Sequence, residues 1–158
     1  MITNGSDVAE IRHAAPEDLA GIERLLIANR LPTDGVGDAL SGFFVAEHGG
    51  ELVGVAGVEE CEKFGLLRST AVSPEWRSRG IGRQLVLRAI AESESRGVQA
   101  LYLLTTTAEQ YFPGFGFAKT TRDEVPDAIR RTGEFTGACP ASATVMVYEL
   151  GRRNSASR

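Results

Sequence analysis

The residues best suited to chemistry stand together in Ser73-Pro74-Glu75-Trp76-Arg77-Ser78-Arg79-Gly80-Ile81-Gly82-Arg83. The segment follows an apolar run at residues 66 to 72 and leads at once into a helical pattern at residues 81 to 95. A helix start exposes backbone N–H groups that have no partner inside the helix, together with the positive end of the helix dipole. Gly80 and Gly82 carry no side chain to keep a ligand away from those groups. Arg77, Arg79 and Arg83 add fixed positive charge at the same place. Such a combination suits a pyrophosphate. A plain strand-to-helix turn with solvated arginines would need none of this clustering.

Two nucleotide fingerprints do not fit. A dinucleotide loop of the form Gly-x-Gly-x-x-Gly needs glycine where Leu85 stands. A Walker loop needs Gly-Lys-Ser/Thr, and none follows.

Other reactive side chains are scattered. Arg68 interrupts an apolar strand, where an unpaired charge would be costly. It either reaches a cleft to bind a carboxylate or pairs with a structural acid such as Glu59. Cys61 and Cys139 form no Cys-x-x-Cys pair, and only His13 and His48 could join them, so no metal site is expected.

These residues need a scaffold. The chain has 158 residues and 42% hydrophobic content, enough for one domain with its own core. A single domain over residues 8–150 is expected, with residues 1–7 and 151–158 as polar tails. The net charge of -4 disfavours nucleic acid as a partner. No signal peptide or long apolar run is visible, so a cytoplasmic protein without a membrane partner is expected.

The pattern predicts strands near residues 8–13, 43–47, 52–58, 66–72, 101–104, 117–119 and 144–149. It predicts helices from Pro16 to about residue 30 and over 36–41, 81–95, 107–112 and 126–132. Gly49 and Gly50 mark a hairpin, and Gly97 a helix end. A run of strands followed by strand-helix-strand implies an α/β fold, with a mixed sheet and helices on both faces.

At the arginine-glycine segment the chain resembles the GNAT acyltransferases, whose signature Arg/Gln-x-x-Gly-x-Gly/Ala is matched by Arg77, Gly80 and Gly82. The likeness runs over about residues 10 to 150. It includes the strand through Thr70, the Pro74 and Trp76 approach, and the Gly116-Phe117 pair. It implies a mostly antiparallel sheet of six to seven strands, splayed in the middle and flanked by about four helices. It implies acetyl-CoA as co-substrate, a small-molecule amine as acceptor, and leaves a homodimer open.

The resemblance also implies site residues. Backbone groups of Thr70, Ala71 and Val72 would pair with the pantetheine arm. Ser78, Arg79, Gly80, Ile81, Gly82 and Arg83, with Arg77, would hold the pyrophosphate. The strand that carries Leu103, Leu104 and Thr105 would splay away to admit the thioester, with Phe112 beside the CoA sulfur. Acetyl transfer to an amine needs a proton acceptor, an oxyanion partner and a leaving thiolate. Glu59 is the first choice of base, placed at the end of its strand, and Glu60 the second. Many family members place an acidic tyrosine four residues before the Gly-Phe pair. Here that position is Phe112, so the neighbouring Tyr111 is the substitute, unless the thiolate leaves unassisted.

The C-terminal third is similar to small GNAT proteins associated with arsenic resistance, themselves similar to the acetyltransferase domain of N-acetylglutamate synthases. Arg122-Asp123-Glu124-Val125-Pro126, Ile129-Arg130, Glu134-Phe135 and Cys139-Pro140-Ala141-Ser142-Ala143 carry that likeness. It implies an amino acid or amino-acid-like toxin as acceptor, with Arg130, Cys139 and Ser142 near it, beside the Arg68 already singled out for a carboxylate. A protein or peptide acetyltransferase and a non-catalytic acyl-CoA sensor are the competing functions.

Overall fold

The computed structural model describes residues 8–138 and 142–150. Its strands are β1 (Glu10–His13), β2 (Phe43–His48), β3 (Glu51–Cys61), β4 (Phe64–Val72), β5 (Ala100–Thr105), β6 (Ala118–Thr120) and β7 (Thr144–Glu149). They form a seven-stranded sheet in the order β1-β2-β3-β4-β5-β7-β6. The α-helices are α1 (Leu19–Ala28), α2 (Ile81–Ser95) and the short α3 (Asp127–Arg130), followed by a π-helical turn at Glu134–Ala138. This is the mixed α/β sheet that the pattern predicts, with the mostly antiparallel pairing that the resemblance implies. The expected tails, residues 1–7 and 151–158, lie outside the described residues, as does Cys139.

The chain divides into two compact units. The first holds the residues up to Gly57 together with Ser69–Ala89; the second holds Val58–Arg68 and the residues from Ile90 onward.

In the first unit, β1, β2 and β3 are successive antiparallel neighbours. His48 pairs with Glu51 across Gly49 and Gly50, whose φ angles of 60° and 82° make the tight turn that glycine permits. Asp18 organises the start of α1. Its carboxylate accepts the backbone N–H of Ala15 at 2.7 Å and both arms of the Arg12 guanidinium at 2.8 and 3.1 Å. Arg12 also bonds Glu47 at 2.8 Å, tying β1, β2 and α1 together. Ile22, Leu25 and Leu26 then face a core with Val36, Phe43, Val45, Val55 and Ala71. Arg30, left-handed at φ 61°, ends α1, and the Leu31 N–H closes on the Leu26 carbonyl.

In the second unit, Phe64, Gly65 and Leu66 of β4 run parallel to Ala100, Leu101 and Tyr102 of β5. β7 pairs antiparallel with both β5 and β6. Leu66, Ala100, Tyr102, Val125, Ile129 and Val145 form its core.

Several expectations change. The helix expected over residues 36–41 is a set of turns and a 3-10 turn at Leu40–Gly42. That expected over 107–112 is turns and a 3-10 helix at Phe112–Phe115. Pro113 suits only a first turn, because it lacks an N–H and fixes φ. The helix expected over 126–132 is only the four residues of α3. β3 continues to Cys61, so Glu59 and Glu60 lie within the strand and not beyond its end. The apolar run over residues 52–58 marks the expected strand, and the backbone stays extended through Glu59, Glu60 and Cys61 beyond it.

The Arg12–Asp18 pair gives a measurable expectation. Hydrogen bonding to Arg12 holds the Asp18 carboxyl below its ordinary value of 3.8. A depressed carboxyl contributes stability that is full above the unfolded value and lost as pH falls through the folded one. Asp18→Asn should therefore cost about 1–3 kcal/mol in urea unfolding at pH 7. The gap to the parent should close as the buffer is taken below pH 4.

Candidate functional site

The first unit carries the arginine-glycine loop. β4 ends at Val72, and the Ser73 N–H bonds the Val53 carbonyl at 2.8 Å. A 3-10 turn at Pro74–Trp76 follows. Ser78 and Gly80 are both left-handed, with φ of 67° and 84°. Gly80 is favoured there by its backbone conformation; Ser78 adopts the same region with a side chain, which is uncommon. The Gln84 N–H bonds the Gly80 carbonyl at 3.0 Å, so Gly80 caps α2. Ile81, Gly82 and Arg83 therefore form the first turn, where helix geometry directs N–H groups away from the helix body. Left-handed residues at alternate positions fold a backbone into the concave shapes that take anions.

The loop is held from two sides. Arg77 donates to Asn29 Oδ1 at 2.6 Å and to the Val72 carbonyl at 3.3 Å. Asn29 in turn donates to the Leu25 carbonyl at 2.8 Å, which anchors it to the end of α1. Arg79 lies over the Trp76 ring at 4.6 Å, and Trp76 meets the His48 ring at 4.7 Å. Arg77 thus braces the loop, while Ser78, Arg79, Gly80 and Arg83 are exposed. The helix itself is seated by Gly54 on β3. A Cβ on Gly54 would meet Ile81 Cγ2 and Leu85 Cδ1, each at 3.0 Å. The absence of that atom sets how closely the first turn of α2 approaches the strand.

Just before Thr70, Ala71 and Val72, Ser69 takes φ 61° within β4 and is buried. A left-handed residue inside a strand breaks its pleat and re-aims the backbone that follows. No sequence signal marked Ser69, because serine in an apolar strand carries no φ preference of this kind.

The second unit carries the charged cluster. Arg68 has a side chain only 1% exposed. Its Nη1 donates to Glu59 at 3.2 Å, and its Nε lies 3.4 Å from Glu134. Of the two readings that Arg68 allowed, pairing with Glu59 is present. Glu59 is 28% exposed and Glu134 only 6%. Glu134 was not among the candidate site residues. It lies far along the chain on a π-helical turn, and only the demand of a buried guanidinium for carboxylates hinted at such a partner. Glu60 pairs with Arg96, and Glu62 with Arg131. The Cys61 thiol is pushed up to about 11 by burial first, and then by Glu59 and Glu62.

The remaining candidates are dispersed in this unit. Thr105 Oγ1 accepts the Ala108 N–H at 2.9 Å and shapes the turn after β5. Tyr111 is 44% exposed, while Phe112 is buried against Phe117. Both rings also meet Phe115. Arg130 is taken up by Asp127 on its own helix and by the Arg122 carbonyl at 3.3 Å. Ser142 sits exposed in a turn. Among the described residues no group of three or more His, Cys, Asp or Glu could hold a metal ion. None of their helices is long and apolar enough to cross a membrane.

Comparison with known proteins bears on this arrangement. The model of the Acetyltransferase (GNAT) family matches residues 8–117. The chain is 28% identical over 137 residues to an amino-acid acetyltransferase of Ralstonia nicotianae, covering 80% of this chain and 30% of that protein. It is 28% identical to the uncharacterised N-acetyltransferase CT2212 of Chlorobaculum tepidum, over 77% of this chain and 83% of that one. The N-acetylglutamate synthase of Neisseria gonorrhoeae, solved with coenzyme A and N-acetyl-glutamate, superposes with a TM-score of 0.77 at 25% identity. That match covers 90% of this chain and 35% of the synthase chain. The chain thus spans about a third of the named amino-acid acetyltransferases it matches. Rv2747 of Mycobacterium tuberculosis, solved with CoA, gives a TM-score of 0.76 at 22% identity, over 89% of this chain and 99% of that one.

Two outcomes are expected from the geometry. Gly54→Val should destabilise the protein by about 1–3 kcal/mol through overpacking, and should move the amide resonances of Gly80 to Arg83. Cys61, with its thiol at about 11, should react slowly with iodoacetamide at pH 8 in a Cys139→Ser background. Its rate should climb as pH rises through 10, because the thiolate is the nucleophile.

Proposed function

Since the chain belongs to the GNAT acetyltransferase family, we propose that it transfers an acetyl group from acetyl-CoA to the amino group of a small, carboxylate-bearing molecule of amino-acid type. Residues 8–150 serve as one such domain. The observation that carries the reading is the turn from β4 into α2, where left-handed, exposed Ser78 and Gly80 lead into the start of the helix. Relatives solved with CoA and others named amino-acid acetyltransferases support it.

In this reading the donor's pyrophosphate rests on the N–H groups of Ile81, Gly82 and Arg83, with Ser78 and Arg79 beside them. Thr70, Ala71 and Val72 present backbone groups to the pantetheine arm. Thr105 and Phe112 belong to the thioester end of the site. The acceptor's amine attacks the thioester carbonyl carbon, the C–S bond breaks, and the thiolate departs. Glu59, directly or through water, takes the proton that the amine must lose. Tyr111 or solvent returns a proton to the thiolate. Arg68 reads the acceptor's carboxylate, since a guanidinium fork matches it in shape and charge. Arg130, Cys139 and Ser142 complete the acceptor's surroundings.

The finer reading, an amino-acid-like toxin and a part in arsenic detoxification, rests on the C-terminal segments from Arg122 to Ala143. Phe112, buried where an acidic tyrosine is usual in this family, favours the acyl-CoA sensor as the second reading.

The test is thiol release from acetyl-CoA against a panel of amino acids, their amides, amino-acid-like arsenicals and peptides. Turnover is expected with one or more amino acids or their analogues and not with peptides. Glu59→Gln should lower kcat by about 10²-fold or more if the base is removed. Gly82→Trp should abolish measurable CoA binding in calorimetry. Unchanged CoA affinity in that variant defeats the donor-site assignment, and tight CoA binding without turnover on any amine selects the sensor.

A further inference from the structure

Arg68 raises a difficulty for the reading just given. A side chain that is 1% exposed cannot meet an acceptor unless something moves. The structure shows which group can. Arg68 is flanked by two carboxylates, Glu59 at 3.2 Å and Glu134 at 3.4 Å. They are not equivalent. Glu134 is 6% exposed and sits beside buried Thr132 on the segment after α3. Taking it off Arg68 would strand a carboxylate in a place with little water, at a cost of several kcal/mol by the usual penalty for an uncompensated buried charge. Glu59 is 28% exposed, so it can leave Arg68 and recover hydration.

We propose that Glu59 occupies Arg68 as an internal stand-in for the acceptor's carboxylate, and that a carboxylate-bearing acceptor binds by replacing it. This rests on the reading of Arg68 as the acceptor's carboxylate partner. Glu134 stays in place throughout, so the buried guanidinium is never left without a carboxylate. The exchange swaps one carboxylate for another and leaves the charge balance around Arg68 unchanged. Neighbouring charges do not compete for the vacated role: Glu60 is held by Arg96 and Glu62 by Arg131. An amine without a carboxylate has nothing to offer Arg68 and must bind with the Glu59 pair still closed. Selection for a carboxylate therefore comes from the exchange as well as from attraction. The exchange also releases Glu59 when the correct acceptor is present, which is when a proton acceptor is needed.

The test reads binding, so it does not depend on turnover. L-glutamate, L-glutamine and L-isoglutamine are titrated by calorimetry or NMR into the CoA-bound protein and into its Glu59→Gln variant. The three differ only in which carboxylate is replaced by an amide. Glutamine at position 59 cannot compete as an anion for Arg68. L-glutamate should bind the variant about two- to fivefold more tightly than the parent, the range expected when a partly exposed ion pair no longer has to be broken. The amide that lacks the carboxylate read by Arg68 should bind both proteins alike. In kinetics the same variant should show a lower KM for an acidic acceptor together with its lower kcat. Circular dichroism and thermal melting confirm that the variant is folded. Glutamate binding that is absent, unchanged or weaker in the variant overturns the proposal, as does an equal gain for all three ligands. Failure of acetyl transfer with every amine, alongside the predicted gain in affinity, would instead count against the enzymatic reading and leave the exchange standing.

Discussion

A guanidinium inside a β-strand dictates much of the second unit. Arg68 follows Leu66 and Leu67, both buried, and its own side chain has almost no access to water. Arginine stays charged under any condition in which the protein is folded. The fold must therefore bring carboxylates to it, and it draws them from two distant places. Glu59 comes from β3, and Glu134 from the π-helical turn after α3. A buried ion pair adds little net stability over a well-packed apolar cluster, but losing one partner is severe. What such a cluster fixes well is position. Charge pins the end of β3 and the turn at Glu134–Ala138 to Arg68, while Cys61 and Phe135 pack the same two segments against the unit's apolar core. The same requirement makes β3 run on past its apolar stretch, through Glu59 and Glu60 to Cys61. The Cys61 thiol, pushed up by burial first and by Glu59 and Glu62 after it, is a poor nucleophile.

The first unit solves a different problem, which is to hold a flexible, glycine-bearing loop in one shape without filling it. It does so from outside. Gly54 lets Ile81 and Leu85 seat the start of α2 on β3. Asn29 and Arg77 fasten the loop to the end of α1. Trp76, between His48 and Arg79, stiffens the approach. None of these contacts uses the N–H groups at the start of the helix. Those groups are the ones an anion needs, and preorganising them in advance lowers the cost of binding.

The two units also differ in how much of them could be read from the sequence. The loop was legible because its signals are local. Glycines, arginines and a helix start lie within a few residues, and helix-end physics links them directly. The hairpin at Gly49 and Gly50 and the helix end at Gly97 were legible for the same reason. The short helices were not. Residues 36–41 and 107–112 have apolar spacing that suits a helix, but Pro113 and several turn residues favour 3-10 and open turns instead. The charged cluster was half legible. Arg68 announced a need for an acid, and Glu59 is close enough in sequence to be weighed. Glu134 lies 66 residues beyond Arg68, and no periodic signal links the two. Strain is the least legible of all, since nothing about Ser69 or Ser78 foretells a positive φ.

This contrast has a consequence for how such a domain diversifies. A ligand held by backbone groups and a few local residues needs only a site that is compact in sequence, as the loop before α2 is. The charged cluster, by contrast, is gathered from several elements: β3, β4 and the segment after α3. Side chains drawn from separate elements can be exchanged one at a time. Phe112 illustrates the limit of that freedom. Its ring is packed on Phe115 and Phe117, and Phe117 on Tyr148. A hydroxyl at that position would have to find a polar partner inside an aromatic cluster. The exposed Tyr111 next to it has no such restriction, and a thiolate is a good enough leaving group to make its protonation a refinement of the reaction and not a condition for it.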